Sequence, residues 1–131
     1  MGAVRVLTVD DHATFRQAAT ALIDATDGFE AVGVARTGLE AVVAAERLAP
    51  DLILMDVGLP DIDGYEAARR IALFRPAAMI LLVSVGDEAI GDPTARCGAA
   101  AFVHKEDLRP ALLRDLWAKH RLATVADAPP A

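Results

Sequence analysis

The sequence predicts a doubly wound α/β fold, with five parallel strands in one sheet and helices on both faces. Three observations predict it. Short β-branched runs alternate with amphipathic stretches of helical period along the chain. The third run, Leu52-Ile53-Leu54-Met55, is apolar on both faces, as in a central strand covered on both sides. The strand-like runs end in polar residues, chiefly aspartates, where such sheets carry their sites.

Val4-Arg5-Val6-Leu7-Thr8-Val9 reads as the first buried strand and stops at Asp10-Asp11. Over residues 14–25, Phe15, Ala18, Ala19, Leu22 and Ile23 recur at helical spacing. Gly28 breaks that helix, and residues 30–35 form the second strand. Thr37 is an expected helix cap for residues 39–48, closed by Pro50. The third strand ends at Asp56. Gly58, Pro60, Asp61, Asp63 and Gly64 then form a turn, with Asp63 the expected cap of a helix over 65–74. After Pro76 a fourth strand, 79–83, runs to Ser84.

Gly86, Gly91 and Pro93 exclude a long helix immediately after Ser84. A short one fits 92–98, with Asp92 as cap, Pro93 in its first turn and Gly98 at its end. Residues 100–103 form the fifth strand, ending beside Lys105. The last helix starts near Asp107 or Arg109-Pro110 and runs to about Leu122, with Leu112, Leu113, Leu116 and Trp117 on its buried stripe. One domain over 1–122 is expected, with 123–131, which contain Pro129-Pro130, as a disordered tail.

The composition fits this reading. The chain has 131 residues, 54% of them hydrophobic, enough for a core without disulfides. A single cysteine, Cys97, reads as a small buried side chain in a reducing, cytoplasmic setting. No signal peptide or membrane span is expected, because Asp10 and Asp11 interrupt the first apolar run. Thirteen basic against 19 acidic residues give a net charge of −6, which argues against direct nucleic-acid binding.

In strand order 2-1-3-4-5, the first, third, fourth and fifth strands are consecutive neighbours. Asp10, Asp11, Asp56, Ser84 and Lys105 would then meet on one rim. Three adjacent carboxylates repel one another, so a pKa rises or a cation neutralises them. Mg²⁺ suits the set because it takes few protein oxygens and favours phosphate. Lys105 and Ser84 would face two phosphoryl oxygens, leaving one carboxylate as nucleophile. Asp56 is the choice, because its strand is central.

At these positions the sequence resembles the receiver domains of bacterial two-component response regulators, the chemotaxis-regulator-like superfamily with a flavodoxin-like sheet. Val9-Asp10-Asp11-His12 resembles their acidic pair. Residues 54–64, Leu54-Met55-Asp56-Val57-Gly58-Leu59-Pro60-Asp61-Ile62-Asp63-Gly64, resemble the segment around the phosphoaccepting aspartate. Val83-Ser84 matches the switch hydroxyl, and residues 98–105 match the segment that carries the switch aromatic and the lysine. The likeness spans about residues 4–122. The N-terminal half, with Asp10-Asp11-His12-Ala13-Thr14-Phe15-Arg16, resembles receivers that carry a C-terminal helix-turn-helix domain, and the chain is expected to be either a stand-alone receiver or a piece of a longer protein.

The resemblance implies that Asp56 takes a phosphoryl group from a histidine kinase or phosphotransfer protein. It implies Mg²⁺ on Asp11, Asp56 and the Gly58 carbonyl, with Asp10 acting through water. Lys105 would pair with the phosphoryl group, Ser84 would move toward it, and Phe102 would swing inward. The output partner is not specified, and a homodimer is compatible with the family. The chain would be a phosphoacceptor with self-phosphorylation and self-dephosphorylation chemistry only, not an enzyme on other substrates.

Taken singly, each residue has a plainer role. Asp10 and Asp11 could cap a helix, Ser84 could serve a turn, Lys105 could be a solvated charge and Phe102 could be core. His12 reads as a helix-start residue, with His104 and His120 weaker candidates still. It is the joint occurrence at successive strand ends that favours the site. Val85 stands where family members carry a smaller residue, and its bulk is expected to crowd the site and slow attack by water. Three other functions fit the residues less well. An aspartyl-phosphate phosphohydrolase usually has an acid two residues past its nucleophile, where this chain has Gly58. A nucleotide- or flavin-binding module would want a glycine-rich first turn rather than an acidic one. A pseudo-receiver that is never phosphorylated would not need the complete residue set.

Overall fold

The computed structural model describes residues 2–85 and 97–126. In chain order these form β1 (Val4–Val9), α1 (Ala13–Asp24), β2 (Phe29–Ala35), α2 (Gly38–Leu48), β3 (Leu52–Asp56), α3 (Gly64–Phe74), β4 (Met79–Ser84), β5 (Ala101–His104), a 3-10 turn (Lys105–Asp107) and α4 (Pro110–Ala126). The five strands make one parallel sheet in the order β2-β1-β3-β4-β5. This is the predicted doubly wound sheet.

Strand periodicity divides the core between the two faces. Ile53 and Met55 of β3 pack with Leu7, Val9, Ile80 and Leu82 under α2 and α3. Leu52 and Leu54 point the other way and pack with Val6, Leu81, Ile23 and Leu113, against α1 and α4. The α2 and α3 faces offer small residues, Ala41, Ala44, Ala45, Ala67 and Ala68, so both helices approach the sheet closely. Truncating a buried Leu or Ile of β3 to Ala would cost about 2–5 kcal/mol.

Both predicted caps form. Thr37 Oγ1 accepts from the Glu40 N–H at 3.0 Å, and Asp63 Oδ1 from the Glu66 N–H at 2.8 Å. The end of α2 differs from expectation. The chain turns at Ala49, in left-handed conformation with φ 47°, and Pro50 follows rather than makes the turn. The Arg5 guanidinium donates to the Ala49 carbonyl at 2.9 Å and helps hold this turn.

Among the described residues there are four α-helices, where five were expected. Most of the short helix expected over 92–98 lies outside the described residues. Cys97 is buried, and Gly98 takes φ 80°, the backbone of a helix stop. The final helix runs to Ala126, four residues past its expected end, because no glycine or proline interrupts Leu122-Ala123-Thr124-Val125-Ala126. The expected tail over 123–131 is therefore helical as far as Ala126, and 127–131 lie outside the described residues. Among the described residues no helix is long and apolar enough to cross a membrane.

Candidate functional site

The carboxyl ends of β1 and β3 and the turn after β5 meet on one rim of the sheet. Asp10 follows β1 directly, with its N–H donating to the Ala35 carbonyl at 3.0 Å. The Asp10 side chain is wholly buried. Asp56 closes β3 and is 4% exposed. Its neighbour Val57 continues the sheet by donating to the Val83 carbonyl at 3.1 Å. The chain then folds back tightly, and the Gly64 N–H reaches the Val57 carbonyl at 3.1 Å.

Lys105 opens the 3-10 turn and brings its amine to the same place. Nζ lies 2.5 Å from Asp10 Oδ2 and 3.9 Å from Asp56 Oδ1. Asp56 Oδ1 also accepts weakly from the Gly58 N–H at 3.4 Å. Burial pushes the Asp56 carboxyl above the usual carboxylate range, and Asp10 adds to that shift. Lys105 and the Gly58 N–H pull it back, and Asp11 raises it slightly. One amine thus offsets only part of the repulsion among these carboxylates.

Asp10, Asp11, His12 and Asp56 each offer one ligand atom, and these atoms lie within 4.8 Å of one another. The oxygen-rich set fits a hard divalent cation, whose charge would lower the energy of an ionised Asp56. Neither Asp10 nor Asp11 caps α1. Residue His12 occupies the cap position without a side-chain cap bond, and its own N–H donates to Asp10 Oδ1 at 2.8 Å.

Ser84 is buried at the end of β4, beside Asp56's strand, and its hydroxyl donates to the Val85 carbonyl at 3.2 Å. Phe102 on β5 is half-buried against the core and stands edge-on to His104, with ring centroids 5.7 Å apart. Val85, expected to crowd the site, is 64% exposed, so most of its bulk faces solvent. All the rim residues expected from the sequence thus come to the same end of the sheet.

Three supporting contacts were not foreseen. The Phe15 ring on α1 lies under the Lys105 amine, 4.4 Å from its centroid. Arg16 donates to the Asp10 carbonyl at 2.9 Å. Asp61 accepts from the Gly38 and Leu39 N–H groups at 2.8 and 2.9 Å, joining the loop after Asp56 to the start of α2. These bonds hold the Asp61 carboxyl down at about 2, the Leu39 N–H contributing most. Phe15 belongs to an apolar helical stripe, and that pattern does not separate a core ring from one that holds an amine.

A doubly wound sheet with an acidic rim and one lysine defines a class of phosphate-handling α/β modules, and comparison with known proteins narrows the class. The family profile described as response regulator receiver domain matches residues 6–116, and the chain belongs to that family. It is 38% identical over 106 residues to the response regulator GacA of Pseudomonas viridiflava, covering 78% of this chain and 48% of that one. Its fold superimposes on the signal receiver domain of the response regulator NarL from Mycobacterium tuberculosis with a TM-score of 0.82. That match has 28% identity and covers 92% of this chain and 98% of the other. A CheX–CheY–BeF3–Mg²⁺ complex from Borrelia burgdorferi aligns with a TM-score of 0.75 and 25% identity, over 88% of this chain and 87% of that one. The chain spans about half or less of the length of the curated relatives it matches.

Proposed function

We propose that Asp56 is the phosphoacceptor of this receiver domain and that its partner is a phosphohistidine on a kinase or phosphotransfer protein. An Asp56 oxygen attacks the phosphorus in line with the scissile P–N bond. A P–O bond forms, and the P–N electron pair returns to the imidazole, which takes a proton from solvent. The product is an aspartyl phosphate.

The residues divide the work by charge. Asp11, Asp56 and the Gly58 carbonyl would hold Mg²⁺, with Asp10 acting through a water. The bound ion would neutralise charge on the transferring phosphoryl oxygens. Lys105, released in part from Asp10, pairs with a phosphoryl oxygen, and the Ser84 hydroxyl takes another. Movement of Ser84 lets Phe102 turn inward, and the repacked face carries the signal. The Mg²⁺ named with the Borrelia burgdorferi relative supports the choice of cation.

The observation that carries the proposal is the approach of Lys105 to both Asp10 and Asp56, with Asp56 buried beside two further carboxylates. We take 1–122 as the receiver unit, with Leu122, 71% exposed, at its edge. The chain acts in the cytoplasm, where a kinase partner would meet it, as a signalling phosphoacceptor rather than as an enzyme on other substrates. Incubation with Mg²⁺ and acetyl phosphate, followed by intact mass measurement, tests the central step. One added phosphoryl group in the parent and none in Asp56→Asn is the expected result. Equal labelling of both proteins would overturn it.

A further inference from the structure

The His12 ring is turned toward the acidic rim rather than away from it. Nδ1 lies 3.0 Å from Asp10 Oδ1 and 3.1 Å from Asp11 Oδ1. It also belongs to the group whose ligand atoms, including one of Asp56, fall within 4.8 Å of one another. Adjacent donors about 2.1 Å from a common octahedral ion are separated by about 3.0 Å, and opposite donors by about 4.2 Å. The His12–Asp11 spacing therefore matches neighbouring corners of a single coordination shell, while the 3.0 Å approach to Asp10 is that of a hydrogen bond. The whole set is slightly wider than such a shell and needs only a small contraction to close on an ion.

The ring is free to serve in either of two ways. With its proton on Nδ1 it donates to Asp10, and with the proton on Nε2 it offers the Nδ1 lone pair. The side chain is 66% exposed and makes no cap bond to the helix, so α1 does not depend on it. The ring is held on the rim by its 3.0 Å hydrogen bond to Asp10 Oδ1, which places Nδ1 beside Asp11 as well.

We propose that His12 is a nitrogen ligand of the cation pocket, one that biases the pocket toward borderline first-row ions such as Ni²⁺ and Zn²⁺ relative to Mg²⁺. The inference rests on the reading of Asp11 and Asp56 as cation ligands. Mg²⁺ is hard and gains little from imidazole, so its binding stays with the oxygen donors. Nickel and zinc gain from imidazole, and the Irving–Williams order already favours them at a mixed site. Their occupancy would add an exposed ring to the coordination shell. A receiver so equipped responds to the metal supply as well as to its kinase.

Calorimetric titration of the chain with Mg²⁺ and, separately, with Ni²⁺ tests this in the parent, in His12→Ala and in Asp56→Asn. The expected result has three parts. His12→Ala weakens Ni²⁺ at least about tenfold. The same variant leaves the Mg²⁺ affinity within about twofold of the parent. Asp56→Asn weakens both ions. Equal effects of His12→Ala on the two ions, or none on either, would overturn the role of His12 while leaving the rim reading intact. Ni²⁺ binding that depends on His12 but not on Asp56 would place the nickel elsewhere and also overturn it. If Asp56→Asn leaves Mg²⁺ binding unchanged, the cation reading of the rim fails, and this inference fails with it.

Discussion

The Lys105 amine lies closer to Asp10 than to Asp56, at 2.5 Å from Asp10 Oδ2 against 3.9 Å from Asp56 Oδ1. Asp10 is wholly buried, and Lys105 is 13% exposed. Such a pair derives its value from mutual compensation, and removing one member strands the other charge. Lys105→Met should therefore lower stability at neutral pH by about 2–4 kcal/mol in denaturant unfolding. Adding Asp10→Asn to that variant should return a large part of the loss. A single-variant loss under about 0.5 kcal/mol would show the pair to be weakly coupled, as exposed ion pairs are.

The ring of Phe15 under the Lys105 amine is a second restraint on the same group. A ring face favours a cation by about 0.5–1 kcal/mol when partly exposed. Phe15→Leu keeps apolar bulk against the core cluster that contains Leu54 but removes that face. A double-mutant cycle between Phe15→Leu and Lys105→Met should give a coupling energy of about 0.5–1 kcal/mol. Additive losses would mean that the ring acts only as core.

Asp61 ties the loop after Asp56 to α2 through two backbone N–H groups, and those bonds hold its carboxyl at about 2 against an ordinary 3.8. The folded value is depressed, so the ionised form is the one that folding favours. Its contribution is fully present above pH 3.8 and is lost as pH falls from there through about 2. Asp61→Asn should melt at a lower temperature than the parent at neutral pH. The gap should narrow below pH 4 and close near pH 2, as followed by circular dichroism melts. A gap that stays constant across that range would show that the charge on Asp61 is not what matters.

Much of this was legible in the sequence because it rests on local rules. The two-sided apolar character of Leu52-Ile53-Leu54-Met55 identifies a central strand whatever surrounds it, and Thr37 and Asp63 are caps by residue type and position. Asp10, Asp56 and Lys105 could be brought together because topology alone places strand ends on one rim. The contacts that escaped are set by side-chain geometry across distant elements. Asp61 reads as a turn residue, and nothing in the spacing says that it reaches back 23 residues to Gly38. Whether Lys105 leans to Asp10 or to Asp56 depends on distances of about an ångström, which a pattern of residue types does not encode. The end of α4 was misplaced because the apolar stripe stops at Trp117 and residue types past it do not mark a stop, whereas the helix continues to Ala126.

The loop after Asp56 contains two glycines with opposite demands, and substituting each separates sterics from chain flexibility. A Cβ on Gly64 would overlap the Asp56 carbonyl oxygen and come within 2.8 Å of Val57 Cα. Both obstacles are backbone, so neither can rotate aside. Gly64 begins α3, where alanine is otherwise the better helix former, so helix propensity acts against the expected loss. Gly64→Ala should therefore cost about 2–4 kcal/mol through forced displacement of the β3 end. By moving Asp56 it should also slow labelling by acetyl phosphate. A Cβ on Gly58 meets nothing within 4 Å, so Gly58→Ala should change stability by no more than about 0.5 kcal/mol. Unfolding curves for the two variants, read beside their labelling rates, make the comparison. Equal stability losses would show that the loop needs glycine for backbone freedom rather than to let α3 pass close to Asp56.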